Sequence, residues 1–180
     1  MGMHLGFITS QCSTEELRET FLRYSKHYSV KSTTHDLADA YELNHWMQKH
    51  EKFNTNVFFI FDDGPYAILM DFRHIVTCDE KLLAKLSLKL GTVLSFAIET
   101  AGGCAYFWCF KDGVLKRYIG NTDGVLEKKG RALKQEKGID TTNNYYMQET
   151  EELWAAFELA PYERMARPPM EGLCLIDKRV

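Results

Sequence analysis

The sequence has no long apolar run, no basic leader segment and no closely spaced pair of cysteines. None of its apolar runs approaches the ~18 residues that a membrane-spanning helix needs, so we expect no membrane insertion. The first residues show no basic segment followed by an apolar stretch, which argues against a secretory signal. The five cysteines are scattered and form no C-x-x-C motif, which is typical of reduced thiols. We therefore expect a cytoplasmic protein.

The sequence also lacks a strong excess of either charge. Its formal net charge is −3 over 180 residues, with 45% hydrophobic and 26% charged residues, a composition typical of a globular protein. A general nucleic-acid binder would be basic, so we expect no nucleic-acid partner. The length suits one substantial core, and we predict a single α+β domain over residues 1–180.

What the sequence does contain is a set of short apolar runs separated by turn residues. Asp112-Gly113 between two of them is a strong hairpin signal, because glycine accepts a positive φ, and residues 62–65 have turn composition as well. The runs do not alternate with polar residues, so we expect helices on at least one face. We predict a central, mainly antiparallel sheet of about five to six strands flanked by helices. The runs are residues 4–9, 57–61, 66–70, 93–98, 105–110 and 114–119.

Four helices are predicted from caps and helical spacing. The first three begin at Ser13, Thr33 and Thr77, each of which is followed three residues later by an acidic residue, as in a capping box. Residues 121–140 combine three glycines with many charges, which predicts a mobile surface loop. Residues 173–176 predict one more short element. The predicted helices span residues 13–27, 33–50, 77–90 and 143–160.

Charge is unevenly distributed in the last third of the chain. Residues 116–137 have a net charge of +4, whereas residues 140–163 contain six acidic residues and no basic one. Such patches can steer a charged partner, or they can simply attract each other as an ordinary solvated surface. If the acidic helix docks on a partner, we predict that the binding residues are Glu149, Glu151, Glu152, Glu158 and Trp154.

The sharpest chemical candidate is Cys78, which follows the predicted N-cap Thr77. Free N–H groups and the positive end of a helix dipole favour a thiolate at such a position, and His74 lies four residues upstream. A catalytic Cys78–His74 pair is one interpretation. Asp79 opposes a thiolate, however, and no oxyanion donors can be named. The commoner role of such a cysteine is a small buried apolar residue.

Metal ligation is not expected. His35 and Asp39 would share one face of the predicted second helix, but two ligands at i, i+4 make no site without a third and a fourth. The sequence has no H-E-x-x-H motif. We therefore predict no metal and no cofactor.

One sequence pattern extends over residues 57–137. It resembles the pattern of small uncharacterised bacterial cytoplasmic proteins, some of which resemble immunity proteins of polymorphic toxin systems. The resemblance implies a compact α+β protein that acts by binding, and it supplies no catalytic or binding residues. The pattern comprises Leu86-Ser87 in a leucine-rich helix, an apolar strand, an aromatic strand ending in Lys111-Asp112-Gly113-Val114-Leu115-Lys116-Arg117, and Gly130-x-x-Leu133-x-x-Glu136.

Two functions of different class follow from these features. The first is a non-enzymatic, immunity-like protein-binding module that binds and neutralises a toxin partner through its acidic helix or an aromatic surface. The alternative is a small-molecule sensor or a cysteine-dependent enzyme with a pocket near Cys78 and His74. Either function is compatible with a homodimer formed through a sheet edge.

Overall fold

A single antiparallel sheet is the framework on which the other elements are arranged. The computed structural model describes residues 4–37, 40–165 and 169–179. The strands are β1 (His4–Ser10), β2 (Tyr28–Leu37), β3 (Thr55–Asp63), β4 (Tyr66–Met70), β5 (Thr92–Glu99), β6 (Cys104–Lys111), β7 (Val114–Thr122), β8 (Val125–Gly130) and β9 (Met170–Asp177). The helices are α1 (Thr14–Tyr24), α2 (Ala40–His50), α3 (Glu80–Leu90), α4 (Met147–Ala156) and α5 (Pro161–Met165), and a short 3₁₀ helix spans Lys134–Glu136.

The strands lie in the order β2-β9-β3-β4-β1-β5-β6-β7-β8, and every neighbouring pair is antiparallel. The predicted α+β class and the antiparallel sheet with flanking helices are confirmed. The predicted number of five to six strands was wrong, because the sheet has nine. The additional strands are β2, β8 and β9, which lie in the outer parts of the sheet.

Strand β2 occupies the start of the predicted second helix. Its sequence is rich in Val, Thr, Ser and Tyr, which favour strands, and Thr33 lies opposite Leu173 of β9. Thr33 is therefore a strand residue and not a helix cap, and α2 begins at Ala40. The side chain of Asp36, the other half of the predicted capping box, lies outside the described residues, as does Asp39.

Much of the segment 121–140 forms regular structure, whereas a loop is predicted there. It includes the end of β7, the edge strand β8 and the 3₁₀ helix. Asp123 and Gly124 have φ values of 50° and 82°, which suit a hairpin turn with two positive φ angles. The β6–β7 turn has the same chemistry, with 52° at Asp112 and 78° at Gly113. The second Asp-Gly pair was overlooked because the charged residues around it are also typical of a loop.

Helices cover both faces of the sheet, which explains why its strands do not alternate apolar and polar residues. On one face, α1 and α3 contribute Phe21 and Leu86 to a buried apolar cluster. On the other face, α2, α4 and α5 cover a second cluster, in which Trp154 of α4 lies 5.6 Å from the ring of Phe7. Within the described residues, none of the helices has the length and apolar character that a membrane span needs.

The helix ends agree only in part with the predicted caps. The Ser13 hydroxyl accepts a hydrogen bond from the Glu16 N–H at 3.1 Å, as predicted for α1. Helix α3 does not begin at Thr77, since its N-cap is Asp79, whose carboxylate accepts hydrogen bonds from two first-turn N–H groups at 3.0 Å. Helix α4 is shorter than the predicted span of residues 143–160.

Candidate functional site

The best-defined charged pair in the structure is buried. Arg117 of β7 donates from Nε to Glu136 Oε1 at 2.9 Å and from Nη2 to Glu136 Oε2 at 2.7 Å. The two residues are only 5% and 6% exposed. Bidentate pairs of this kind are among the strongest hydrogen-bonded arrangements in proteins. The pair therefore holds the 3₁₀ helix against the sheet.

Further hydrogen bonds complete this cluster, which we call the lock. Arg117 Nη1 donates to the Gly130 carbonyl oxygen at 3.1 Å, the Leu133 N–H donates to Glu136 Oε1 at 2.8 Å, and the Thr141 hydroxyl donates to Glu136 Oε2 at 3.1 Å. Every nitrogen of the guanidinium and both carboxylate oxygens thus have protein partners. A buried ion pair is tolerated only when its remaining hydrogen-bonding capacity is satisfied in this way.

The lock contains the residues that carry the second half of the sequence resemblance. These residues are Arg117 and the Gly130-x-x-Leu133-x-x-Glu136 pattern. Gly130 has a φ of 78°, and a Cβ atom there would collide with the Lys116 carbonyl oxygen, so only glycine fits. The residues of this part of the pattern therefore stabilise the fold.

The first half of the resemblance pattern is structural as well. The Gly113 N–H in the β6–β7 turn donates to Ser87 Oγ of α3 at 2.9 Å. A Cβ atom at Gly113 would lie 2.7 Å from Leu88 Cδ2, so the turn approaches α3 closely. This hydrogen bond therefore connects α3 to the β6–β7 hairpin.

Beside the lock, a cleft opens between the 3₁₀ helix and the end of α4. Its volume is about 560 Å³, and it continues into a smaller cavity of about 220 Å³ that Thr92 and Leu94 of β5 help to line. The floor lies at the ends of three central strands, where β1 ends and β4 and β5 begin. The larger cavity is lined by Gln11, Tyr66, Lys134, Gln135, Lys137, Phe157 and Glu158, with Ala156 beside them.

The cleft carries charges of both signs. Lys134, Lys137 and Glu158 are all exposed, and none of them forms an ion pair with another residue in the described ranges. Burial raises the pKa of Tyr66, a side-chain hydrogen bond from Gln11 lowers it, and the charge of Glu158 raises it. The carboxylate of Glu158 therefore acts on the phenol inside the cleft.

Glu158 has an unusual backbone conformation. Its φ is 63°, and it occupies the position after the C-cap Phe157 where helices commonly have glycine. The Glu158 N–H donates to the Ala155 carbonyl oxygen at 2.8 Å, and the Leu159 N–H donates to that of Trp154 at 3.0 Å. These two bonds define a Schellman motif. A side chain at the left-handed position of this motif costs free energy that glycine would avoid.

The predicted partner-binding residues fall into two groups. Glu149 is buried, and its carboxylate accepts hydrogen bonds from the Asn144 side chain at 2.9 Å and from the Tyr146 N–H at 3.0 Å, which caps α4. Trp154 is 5% exposed and belongs to the core. The other three predicted residues, Glu151, Glu152 and Glu158, lie at least partly at the surface.

Cys78 and His74 lie in the loop between β4 and α3. Asp71 organises this loop, because its buried carboxylate accepts hydrogen bonds from the N–H groups of Val76 at 2.7 Å and Thr77 at 3.2 Å. His74 has a φ of 54°, and its buried Nε2 has no hydrogen-bond partner within the part of the chain that the structure describes. No contact between Cys78 and His74 is found among the hydrogen bonds and ring contacts of the described residues.

The environment of Cys78 opposes a reactive thiolate. Although the residue is exposed, desolvation by the surrounding protein raises the pKa of its thiol to about 11, against a smaller lowering by a Thr77 hydrogen bond. At the start of α3, the N–H groups of Lys81 and Leu82 donate hydrogen bonds to the Asp79 carboxylate. They therefore do not stabilise a negative charge on Cys78. The Cys78–His74 alternative stays a prediction with these two observations against it.

Metal binding has no geometric support in residues 4–37, 40–165 and 169–179. No group of three or more His, Cys, Asp or Glu side chains in these ranges is arranged to hold an ion. His35, one of the two potential ligands considered on the second helix, lies on strand β2, where its Nδ1 is 3.9 Å from a carboxylate oxygen of Glu171.

Sequence reasoning missed most of the cleft. The basic cluster that includes Lys134 and Lys137 was recognised, and so was Glu158, but Gln11, Tyr66 and Phe157 were not connected with them. The available signal was the antiparallel pairing of three predicted strands, since it places the end of β1 beside the starts of β4 and β5. Nothing local in the sequence places the 3₁₀ helix beside these strand ends.

Comparison with known proteins adds no relative. No protein-family model, no curated protein and no solved structure matches this chain. The resemblance of residues 57–137 to immunity proteins therefore stays a prediction, and the geometry described above is the basis for the function proposed below.

Proposed function

We propose that this chain is a non-enzymatic protein-binding module that docks on a basic partner through an acidic surface formed by Glu151 and Glu152 of α4. One observation carries the proposal. Glu152 is exposed and Glu151 is partly exposed on the side of α4 that faces away from the sheet, and neither carboxylate forms an ion pair with a described residue. The Gln148 side chain donates a hydrogen bond to Glu152 Oε1 at 2.9 Å, which leaves the negative charge of Glu152 uncompensated. Their charge is therefore available to a partner.

The chemistry around these two carboxylates suits a protein interface. Met147 on α4 is 38% exposed and Ala155 is also exposed, so apolar and acidic side chains share the outward face of the helix. Methionine is enriched in protein interfaces, and complementary charge raises the rate at which partners meet. A partner with a basic docking face fits this surface.

The resemblance to immunity proteins supports a toxin as the partner. An immunity-like protein neutralises its toxin by binding, which requires an accessible surface and no catalytic group. The resemblance pattern itself consists of fold-stabilising residues, among them Arg117 and Glu136. Helix α4 lies outside that pattern, and it is there that a specific partner would be recognised.

The test is affinity capture from native lysate with two matched charge-reversal variants. Glu151→Lys/Glu152→Lys changes the acidic surface, whereas Glu15→Lys/Glu19→Lys changes two exposed acidic residues of α1 on the opposite face of the sheet. We expect a specific protein that the wild type and the α1 variant capture and the α4 variant does not. Capture by the α4 variant, or no capture by the wild type, would contradict the proposal.

Homodimerisation through a sheet edge stays a prediction. The two edges of the sheet are β2 and β8. On β8, Lys128 and Lys129 are exposed, and lysines on an edge strand oppose pairing with a second strand. The oligomeric state in solution, measured by analytical ultracentrifugation, decides this point.

A further inference from the structure

We propose that the cleft between the 3₁₀ helix and the end of α4 binds a small zwitterion, such as a free amino acid. The anionic group of the ligand would lie at Lys134 and Lys137, and its ammonium group at Glu158. This site is separate from the acidic surface of Glu151 and Glu152, and the two proposals stand or fall independently.

The dimensions of the cleft suit a small ligand. Its volume of about 560 Å³ lies within the range of ~300–1,000 Å³ that is usual for ligand sites. The rings of Tyr66 and Phe157 supply apolar walls, and the side-chain amides of Gln11 and Gln135 supply both donors and acceptors. A ligand with a polar head and a short side chain would find partners for both parts.

The charges of the cleft point to a ligand that carries both signs. Lys134 is the first residue of the 3₁₀ helix and Lys137 directly follows its last residue, and both line the cleft. Two neighbouring ammonium groups attract a carboxylate, and Glu158 in the same cleft attracts a cation. All three charges lack ion-pair partners among the described residues, so a ligand would supply the missing partners.

The backbone of Glu158 is a second and independent observation. A glutamate occupies the left-handed position of a Schellman motif, where glycine would relieve the strain. Strained residues are concentrated at functional sites, where the side chain has a role that outweighs its conformational cost. Here the side chain lines the cleft and its charge acts on Tyr66. Ligand binding accounts for a glutamate at this position.

The experiment is a titration of the ¹⁵N-labelled full chain with each of the twenty common L-amino acids, followed by two-dimensional NMR. Acetate and ethylammonium serve as probes that carry only one charge. We expect at least one amino acid to shift the side-chain amide signals of Gln11 and Gln135 to saturation, with an affinity at least about tenfold higher than that of either probe.

Matched variants locate the binding groups. Glu158→Gln and Lys134→Gln/Lys137→Gln should each weaken amino-acid binding about tenfold or more, whereas Lys128→Gln/Lys129→Gln on β8 should leave it unchanged. All of these residues are exposed, and the NMR spectrum of each variant shows whether it is folded.

Three results would overturn the proposal. The first is that no amino acid saturates the Gln11 and Gln135 signals below about 10 mM. The second is that acetate binds as tightly as the best amino acid, which would indicate a simple anion site. The third is that folded Glu158→Gln binds like the wild type. Because Glu151→Lys/Glu152→Lys should keep amino-acid binding unchanged, failure here leaves the protein-binding proposal untouched.

Discussion

The 3₁₀ helix and the residue that follows it carry charges with two different surroundings. Glu136 points inward, is 6% exposed and is paired with Arg117 through two short hydrogen bonds. Lys134 and Lys137 point outward into the cleft, are exposed and have no ion-pair partner among the described residues. Residues that are neighbours in the sequence thus take part in two very different environments.

A buried and fully paired charge is tied to the fold, whereas an exposed charge without an ion-pair partner is available for binding. Removing one partner from a buried pair leaves an uncompensated charge in a poorly solvated place, so such pairs are tied to the fold. Exposed charges contribute little to stability and are free to interact with other molecules. Glu149 and Glu152 show the same contrast on α4, because the first is buried and caps the helix and the second is exposed.

Disrupting the lock should destabilise the fold more than any other change considered below. Glu136→Ala should lower the free energy of unfolding by ~3–5 kcal/mol, because it leaves the Arg117 guanidinium buried without its carboxylate. Urea unfolding measures the change. The control Glu127→Ala removes an exposed carboxylate of β8 and should change stability by less than ~0.5 kcal/mol. If Glu136→Ala lowers the free energy of unfolding no more than its control does, the lock does not stabilise the fold.

The second effect concerns the thiol of Cys78 and is kinetic. With a pKa of about 11, this thiol is almost entirely protonated at pH 7, so it should react with iodoacetamide at least about tenfold more slowly than free cysteine. Mass spectrometry of the modified peptide measures the rate at this residue. A rate above that of free cysteine would contradict this prediction and would support the cysteine-dependent alternative at Cys78.

The third prediction compares a glycine substitution just beyond α4 with one inside it, and the two should change the free energy of unfolding in opposite directions. Glu158→Gly should raise the free energy of unfolding by ~1 kcal/mol, because glycine adopts a positive φ without strain. Glu152→Gly, in the interior of the same helix, should lower it by ~0.5–1 kcal/mol, because glycine is a poor helix former. Parallel urea unfolding of both variants measures the difference. Equal destabilisation by both would show that Glu158 is not strained.

Changes to Lys134 and Lys137 should affect the stability of the fold least. Lys134→Ala/Lys137→Ala should change the free energy of unfolding by less than ~0.5 kcal/mol, because both side chains are exposed and unpaired among the described residues. The same urea unfolding experiment measures it. A loss of several kcal/mol would show that these two lysines, like Glu136, are needed for the stability of the fold.

The sequence was a good guide where the signals are local. The β3–β4 and β6–β7 hairpins were predicted because an apolar run, a turn and a second apolar run are contiguous in the chain. The start of α1 was predicted because Ser13 caps it within one turn. These features need no knowledge of the rest of the molecule.

Long-range pairing is where the sequence was a poor guide. Strand β2 forms by pairing with β9, so that Thr33 meets Leu173 from the other end of the chain. The cleft is assembled in the same way, from Gln11, Tyr66 and Phe157 on separate elements. The predicted roles of Glu149 and Trp154 at the surface depended on where α4 begins and which side it buries, and a helical pattern alone does not fix either.

Glu158 is proposed to serve ligand binding at some cost to the stability of the fold, and thermal unfolding of Glu158→Gly with and without an amino acid tests this proposal. The melting temperature of the wild type should rise in about 10 mM of the amino acid that binds best, because a ligand stabilises the state to which it binds. Glu158→Gly should melt at a higher temperature than the wild type without ligand and should gain little from the ligand. A variant that melts lower than the wild type, or that gains as much from the ligand, would contradict the proposal.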